Sequence, residues 1–230
     1  MTEHEANNQE QKREESPISD AGLAVIGVVL IAIIAMLLWF GVAQREKSVN
    51  LDPSTTLLGT PKKVPSFSLT DHHGNPFTEA RLHGQWTFLY FGYTSCPEVC
   101  PTTLGALVRL DGLLRQVREA VLPRFVFVSV DPSRDTQDQL ARYMPYFSPN
   151  FLGVTGPEKE ISALAQPLGI VYRRSYEDDP DNYLIDHSAS VILVNPQGSM
   201  VAVMSPPHDA RAMTENFRNI AANKGQPQKR

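Results

Sequence analysis

Hydrophobic residues follow two spacings along the chain, and together they predict alternating strands and helices. Residues 86–93 and 124–130 are nearly continuous apolar runs, which is typical of strands buried on both faces of a sheet. Each run is followed by a segment with apolar residues at helical spacing, over 104–117 and 135–147. This order, completed by a hairpin and a final helix, predicts an α/β fold with a mixed central sheet flanked by helices.

Shorter elements complete the predicted domain, which we place over residues 64–222, with a tail over 223–230. Near its start, Phe67 and Leu69 alternate with polar residues, a turn cluster follows over 71–76, and Phe77 begins the returning strand of a small hairpin. Further strands are predicted over 151–154, 170–176, 183–185, 190–194 and 200–204, and further helices over 158–168 and 208–222.

One segment near the N-terminus is hydrophobic on every face. Residues 21–43 contain no charged side chain, and a helix of this length is roughly 34 Å long, against about 30 Å for the hydrocarbon core of a membrane. A cleaved signal peptide has a much shorter apolar core. We therefore expect one transmembrane helix over 21–43, after a disordered polar N-terminus over 1–20 and before a polar tether over 44–63.

The charge of the chain argues against a nucleic-acid partner and against a mitochondrial targeting sequence. The net charge of −4 and the pI of about 5.9 give no basic footprint for nucleic acid, so no nucleic-acid partner is expected. Residues 1–20 carry six acidic side chains, whereas mitochondrial transit peptides are poor in acidic residues. Basic residues lie on both sides of 21–43, so loop charge does not orient the helix.

The chemistry of the chain is concentrated in its two cysteines, Cys96 and Cys100, which lie where a strand gives way to a helix. Unpaired amides and the dipole at a helix N-terminus stabilise a thiolate and lower its pKa. A structural disulfide is disfavoured because so short a loop constrains little chain entropy. Structural zinc normally takes four ligands, and no third thiol exists. The pair therefore indicates a redox centre or a site for a soft metal.

Three separated motifs resemble a known family. They are YTSCPEVCPTT over 93–103, DPSRDT over 131–136 and DHS over 186–188. In this order behind an apolar helix, they closely resemble the Sco/SenC family over about residues 60–222. The resemblance implies a thioredoxin-like domain, a Cu(I) or Cu(II) site made by Cys96, Cys100 and His187, and a role in building the dinuclear copper centre of a cytochrome oxidase. Ser95 departs from the pattern, since many members carry histidine there.

The residues support this interpretation independently, since two thiolates and an imidazole are a soft ligand set suited to copper. His187 follows Cys100 by 87 residues, so it completes the site only if residues 186–190 pack beside the helix that carries Cys100. A ligating histidine usually has its other ring nitrogen hydrogen-bonded, and Asp131 and Asp186 are candidates for that contact. The adjacent His72 and His73 are expected at a solvated turn.

Three functions are open at this point. The first is a membrane-anchored copper metallochaperone, not an enzyme, which receives copper from a donor protein and delivers it to the oxidase copper-binding subunit. By resemblance it belongs to the bacterial inner membrane, single-pass, with its domain facing the periplasm. The second is a thiol–disulfide reductase that uses Cys96 and Cys100 to keep the oxidase ligand cysteines reduced. The third is a thiol peroxidase, since residues 67–71 are similar to the start of peroxiredoxins, but the tight cysteine pair fits it less well.

Overall fold

The computed structural model describes residues 20–43, 51–117, 121–175 and 183–223, and side chains of the first helix over 25–39. The predicted polar head over 1–19, part of the predicted tether over 44–50, the end of one predicted strand at Tyr176 and the tail over 224–230 lie outside these residues. The chain divides into two units, residues 1–47 and residues 48–230.

The first unit contributes helix α1, Asp20–Ala43. Its described side chains are almost all exposed, including Ile31 and Trp39. Within the residues that the structure describes, no helix combines the length and the apolarity that crossing a membrane requires.

The second unit is built on a mixed sheet of eight strands, in the order β1-β10-β9-β4-β5-β6-β2-β3. Strands β4, β5 and β6 are mutually parallel, and the other neighbours in the sheet are antiparallel. Strands β7 and β8 form a separate antiparallel pair. The strands are β1 Thr55–Lys63, β2 Ser68–Asp71, β3 Pro76–Thr78, β4 Thr87–Gly92, β5 Arg124–Ser129, β6 Phe151–Thr155, β7 Tyr172–Arg174, β8 Ile185–His187, β9 Val191–Val194 and β10 Ser199–Met204.

Four helices accompany this sheet in the described part of the second unit, and short 3₁₀ turns extend two of them. They are α2 Val99–Gln116, α3 Gln137–Tyr143, α4 Glu158–Ala165 and α5 Ala210–Ala222. The predicted α/β order with a mixed central sheet is thus confirmed. The helices predicted over 135–147 and 158–168 are shorter than expected, because each tightens into a 3₁₀ turn at a following proline.

The core lies across the middle strands, where aromatic rings stack in register. Phe88, Phe125 and Phe151 occupy paired positions of β4, β5 and β6, with ring centroids 5.3 Å and 4.6 Å apart. Phe217 of α5 covers Phe88 at 5.5 Å. All six residues of β4 are buried, as the continuous apolar run predicted, so the end of β4 is a rigid platform for the cysteine turn that follows.

The prediction of a polar tether up to residue 63 is wrong for its second half. Residues 55–63 form β1, an edge strand paired with β10, and Thr55 is bonded to Asn216 of α5 at 2.8 Å. Only Thr55 of this strand is buried, and Leu57 and Leu58 pack partly buried against the core. The strand is held mainly by its backbone hydrogen bonds to β10 and has no apolar alternation that would predict it. Pro61 is tolerated because an edge strand can leave an unpaired position facing outward.

The turn at 71–76 also differs from expectation at one histidine. His72 is buried, and its Nδ1 accepts a hydrogen bond from the Gly153 amide at 3.0 Å, while His73 is exposed. Burial lowers the pKa of His72, which favours the neutral imidazole that this bond requires. His72 therefore joins β2 to β6, and the expectation of a fully solvated tip is wrong.

Candidate metal centre

The two cysteines lie on the turn between β4 and α2, one before the helix and one inside it. Helix α2 begins at Val99, and Pro101 is tolerated in its first turn because the first four amides of a helix have no intrahelical partner. The Cys96 amide donates to the Tyr93 carbonyl at 3.2 Å. Cys96 retains a little exposure, whereas Cys100 is fully buried.

His187 ends β8 and points at this turn. Its Nε2 lies 3.4 Å from the Cys100 Sγ, and the ligand atoms of Cys96, Cys100 and His187 all lie within 4.8 Å of one another. The strand predicted over 183–185 instead covers 185–187, so the imidazole is held by a strand end. The structure therefore brings together the three residues that the separated motifs predict as ligands.

The other side of the His187 ring is held by backbone and aromatic groups. Its Nδ1 lies 3.2 Å from the Ser188 carbonyl, and its ring meets that of Tyr93 edge-on at 5.8 Å. The expectation that Asp131 or Asp186 makes this contact is wrong. Asp131 binds Arg134 and Tyr183, and Asp186 is exposed with Arg173 at 4.0 Å. A carbonyl acceptor leaves Nε2 free to face the sulfurs.

The two sulfurs share one proton unequally. A hydrogen bond from the Cys100 thiol lowers the pKa of Cys96 to about 4, and the Cys100 amide adds to this effect while burial opposes it. The same bond, together with burial, raises the pKa of Cys100. At neutral pH the metal-free site thus holds a thiolate at Cys96, hydrogen-bonded by a thiol at Cys100.

This asymmetry predicts how the reactivity of Cys96 depends on pH. Cys96 loses its negative charge only as the pH falls through about 4, so its alkylation rate is expected to stay nearly constant between about pH 5 and pH 8. An ordinary thiol, with a pKa of about 8.5, gains about tenfold in rate per pH unit over that range. Iodoacetamide labelling followed by mass spectrometry measures this rate. Cys96→Ser is the control, and a tenfold climb per unit in the wild type would contradict the assignment.

Known proteins are similar to this chain over the part that carries the three candidate ligands. The family model described as SCO1/SenC matches residues 55–222. The chain belongs to the SCO1/SenC family. It is 36% identical to the mouse mitochondrial SCO2 homolog over 157 residues, which are 68% of this chain and 62% of that protein. The chain thus spans less than two thirds of that relative.

Two further matches connect the SCO1/SenC fold with copper. A protein of Stutzerimonas stutzeri whose name describes it as copper-binding is 36% identical, over 67% of this chain and 76% of its own length. The crystal structure of Arabidopsis thaliana ScoI with copper bound matches with a TM-score of 0.64 and 36% identity, over 69% of this chain and 98% of that one. The thioredoxin-like architecture expected from the resemblance is therefore confirmed.

A buried carboxylate supports the cysteine turn of this SCO1/SenC chain. Asp135 is fully buried and accepts hydrogen bonds from the Thr94 amide at 2.9 Å, the Thr94 hydroxyl at 2.6 Å and the Ser129 hydroxyl at 2.7 Å. Burial raises the pKa of Asp135, and these three bonds oppose that rise. Thr94 is thereby fixed two residues before Cys96.

Gly92, the last residue of β4, makes room for the buried sulfur. A Cβ at this position would lie 2.6 Å from the Cys100 Sγ and 2.9 Å from the Phe127 ring. No side chain larger than hydrogen fits without moving one of them. Gly92 lies within the apolar run over 86–93, and a glycine inside such a strand is itself a sequence signal of close approach.

Proposed function

We propose that this chain binds one copper ion through Cys96, Cys100 and His187 and delivers it to the copper-binding subunit of a cytochrome oxidase. The convergence of two sulfurs and one imidazole nitrogen within 4.8 Å supports this proposal, in a family with members solved with copper. The metal is cargo, taken from a donor protein as Cu(I) or Cu(II) and passed on by ligand exchange.

The site has properties that suit transfer. Cys96 is ready as a thiolate, whereas Cys100 gives up its proton when metal binds, so loading is coupled to proton release. The turn around Cys96 is open, since Ser95, Pro97 and Glu98 are exposed. A three-ligand site leaves copper accessible on that side to ligands of a partner.

Copper stoichiometry and transfer test the proposal. The full chain, solubilised in detergent and fully reduced, is expected to hold one copper ion and to lose it to a purified oxidase copper-binding subunit. His187→Ala is expected to weaken binding strongly while leaving both thiols in place. A wild-type chain that binds no stable copper would overturn the proposal.

The low pKa of Cys96 favours a second function, a thiol–disulfide reductase acting on the oxidase ligand cysteines. A stable thiolate beside a protonated partner is the arrangement that attacks a disulfide and then resolves the mixed disulfide. The same His187→Ala variant separates the two functions, because exchange needs only the sulfurs. Intact exchange in a chain that binds no copper would establish the reductase.

The proposal also includes anchoring of the chain in the bacterial inner membrane by residues 21–43, with the copper domain in the periplasm. What supports it is the absence of charged residues from this segment and the exposure of apolar side chains along α1, such as Ile31 and Leu37. Alkaline carbonate washing of membranes that contain the chain is expected to leave it in the pellet. Release into the supernatant would argue against the anchor.

A further inference from the structure

His187 lies at the end of β8, which has no backbone pairing with the main sheet. Strands β7 and β8 contain three residues each and pair only with one another, and an isolated two-stranded ribbon is marginally stable in water. The cysteine turn, in contrast, extends directly from the buried strand β4. The position of the imidazole relative to the sulfurs must therefore be set by contacts outside the β7–β8 ribbon. Tyr93 makes two of those contacts, through its ring to His187 and through its hydroxyl, which accepts from the Ile185 amide at 3.3 Å.

A larger group of contacts converges on Tyr183, which is buried two residues before β8. Its hydroxyl donates to Asp131 Oδ1 at 2.6 Å, and its carbonyl accepts from Arg134 Nη1 at 3.0 Å. The Arg134 guanidinium lies 3.6 Å from the centroid of the Tyr183 ring. Arg134 also pairs with Asp131 at 2.5 Å, where the Asp131 side chain is fully buried.

The opposite strand of the ribbon joins the same group. Arg174 of β7 donates to the Tyr183 hydroxyl at 3.0 Å, and its guanidinium lies 3.8 Å from the Tyr183 ring centroid. We call these four residues, Asp131, Arg134, Arg174 and Tyr183, the Tyr183 clasp. The clasp fastens both strands of the ribbon to the segment that follows β5.

The segment that follows β5 also binds the turn that carries the cysteines. The turn over 131–135 begins with Asp131, which binds Tyr183, and ends with Asp135, which binds Thr94 before Cys96. The two residues are linked through their backbones, because the Asp135 amide donates to the Asp131 backbone carbonyl at 2.8 Å. Ser129 joins them a second time, since it donates to Asp135 and accepts from the Asp131 amide. One short turn therefore fixes the sulfur side and the imidazole side of the site.

We propose that the Tyr183 clasp positions His187 and thereby sets how tightly the site holds copper, above all Cu(II). This inference rests on the proposed copper function. Two thiolates are a good ligand set for soft Cu(I), whereas Cu(II) depends more on the nitrogen ligand. The four clasp residues touch no ligand atom of the site, so they act as positioning residues through the ribbon.

Tyr183→Phe in the full chain tests the inference, because it removes one hydroxyl and keeps the ring. Loss of a group that orients a ligand typically costs roughly ten- to a hundredfold in metal affinity, and we expect a loss in that range for Cu(II) and a smaller one for Cu(I). The Cu(II) charge-transfer band is expected to move towards that of His187→Ala. Tyr172→Phe is the matched control, since Tyr172 lies in the same ribbon and its hydroxyl binds Glu158 at 2.6 Å instead.

A double variant separates positioning from general loosening of the fold. In a His187→Ala background, Tyr183→Phe is expected to cause no further loss of affinity, because the imidazole through which the clasp acts is gone. An unchanged Cu(II) affinity and band in Tyr183→Phe, or an equal effect of Tyr172→Phe, would overturn the inference. Arg134→Lys, which keeps the charge and loses the stacked guanidinium, replaces Tyr183→Phe if that variant does not fold.

A readout without metal keeps the inference distinct from the proposed function. In the copper-free chain, Tyr183→Phe is expected to shift and broaden the NMR signals of the His187 ring. Tyr172→Phe removes a hydroxyl from the residue that pairs with His187 across the ribbon, and it is expected to change these signals much less. If the wild type binds no copper, the proposed function fails, and the His187 signals still decide whether the clasp positions this ring. If the His187 signals of Tyr183→Phe match those of the wild type, the positioning role of the Tyr183 clasp is overturned, with or without copper binding.

Discussion

Cys100→Ser is expected to lower the copper affinity of the chain by about a hundredfold or more. A structural zinc site with four ligands gains about 10–16 kcal/mol from its metal, so one ligand contributes roughly 3 kcal/mol, and each 1.4 kcal/mol is about tenfold in affinity. Serine fills nearly the same buried space as Cys100 but offers copper a hard oxygen in place of a soft sulfur. It can still donate a hydrogen bond to Cys96, so the variant tests ligation and leaves the Cys96 thiolate in place.

Competition with a chromophoric Cu(I) chelator measures this loss. Ser95→Ala is the matched control, because Ser95 is exposed on the same turn and provides no ligand atom to the site. The copper affinity of Ser95→Ala is expected to stay within about threefold of the wild type. The corresponding change in binding free energy is well below the roughly 1.4 kcal/mol of a tenfold change. A Cys100→Ser chain that binds as tightly as Ser95→Ala would remove Cys100 from the ligand set.

Gly92→Ala is expected to damage both the stability of the domain and the metal site. The new methyl group would lie 2.6 Å from the Cys100 Sγ and 2.9 Å from Phe127, and overpacking of this kind typically costs about 1–3 kcal/mol. We expect the upper end of that range, since the neighbours belong to a buried strand and to the first turn of α2. Movement of Cys100 away from Gly92 would also change its distance to His187, so copper binding is expected to weaken.

Denaturant unfolding of the copper-free chain gives the change in stability. Gly112→Ala is the matched control, because Gly112 lies inside α2 and an added Cβ there meets no heavy atom within 4 Å. Alanine favours a helix over glycine by up to about 1 kcal/mol, so this control is expected to gain stability. If Gly92→Ala unfolds at the wild-type denaturant concentration, the close approach at the end of β4 is not a constraint.

The central fold could be predicted from the sequence because its signals are local. The run that ends at Tyr93 and the run from Arg124 read as buried strands since both of their faces are apolar, and the structure places them side by side as β4 and β5. The short spacing of the two cysteines is enough to predict that they can share a metal, and no distant contact needs to be known. The resemblance to the Sco/SenC family implies the three ligands, and the topology brings them together.

What the sequence could not predict depends on long-range pairing of polar groups. The edge strand β1 pairs with β10 through backbone atoms, and hydropathy does not record such bonds. His72 accepts a hydrogen bond from the amide of Gly153, which lies 81 residues further along the chain. A strand is predicted to begin at Tyr183, but hydropathy does not show which distant group its hydroxyl meets. Its hydroxyl meets Asp131 across 52 residues.

The separation of the β7–β8 ribbon from the main sheet has a consequence for how a bound ion leaves. Elements with few backbone partners open locally at a much lower free-energy cost than the core, and the ribbon is the smallest sheet that the described residues form. Opening of the ribbon withdraws His187 while β4 and α2 keep both sulfurs in place. If the site holds copper as proposed, the His187 nitrogen would therefore be the first ligand to be withdrawn, while Cys96 and Cys100 would keep their places on the turn between β4 and α2.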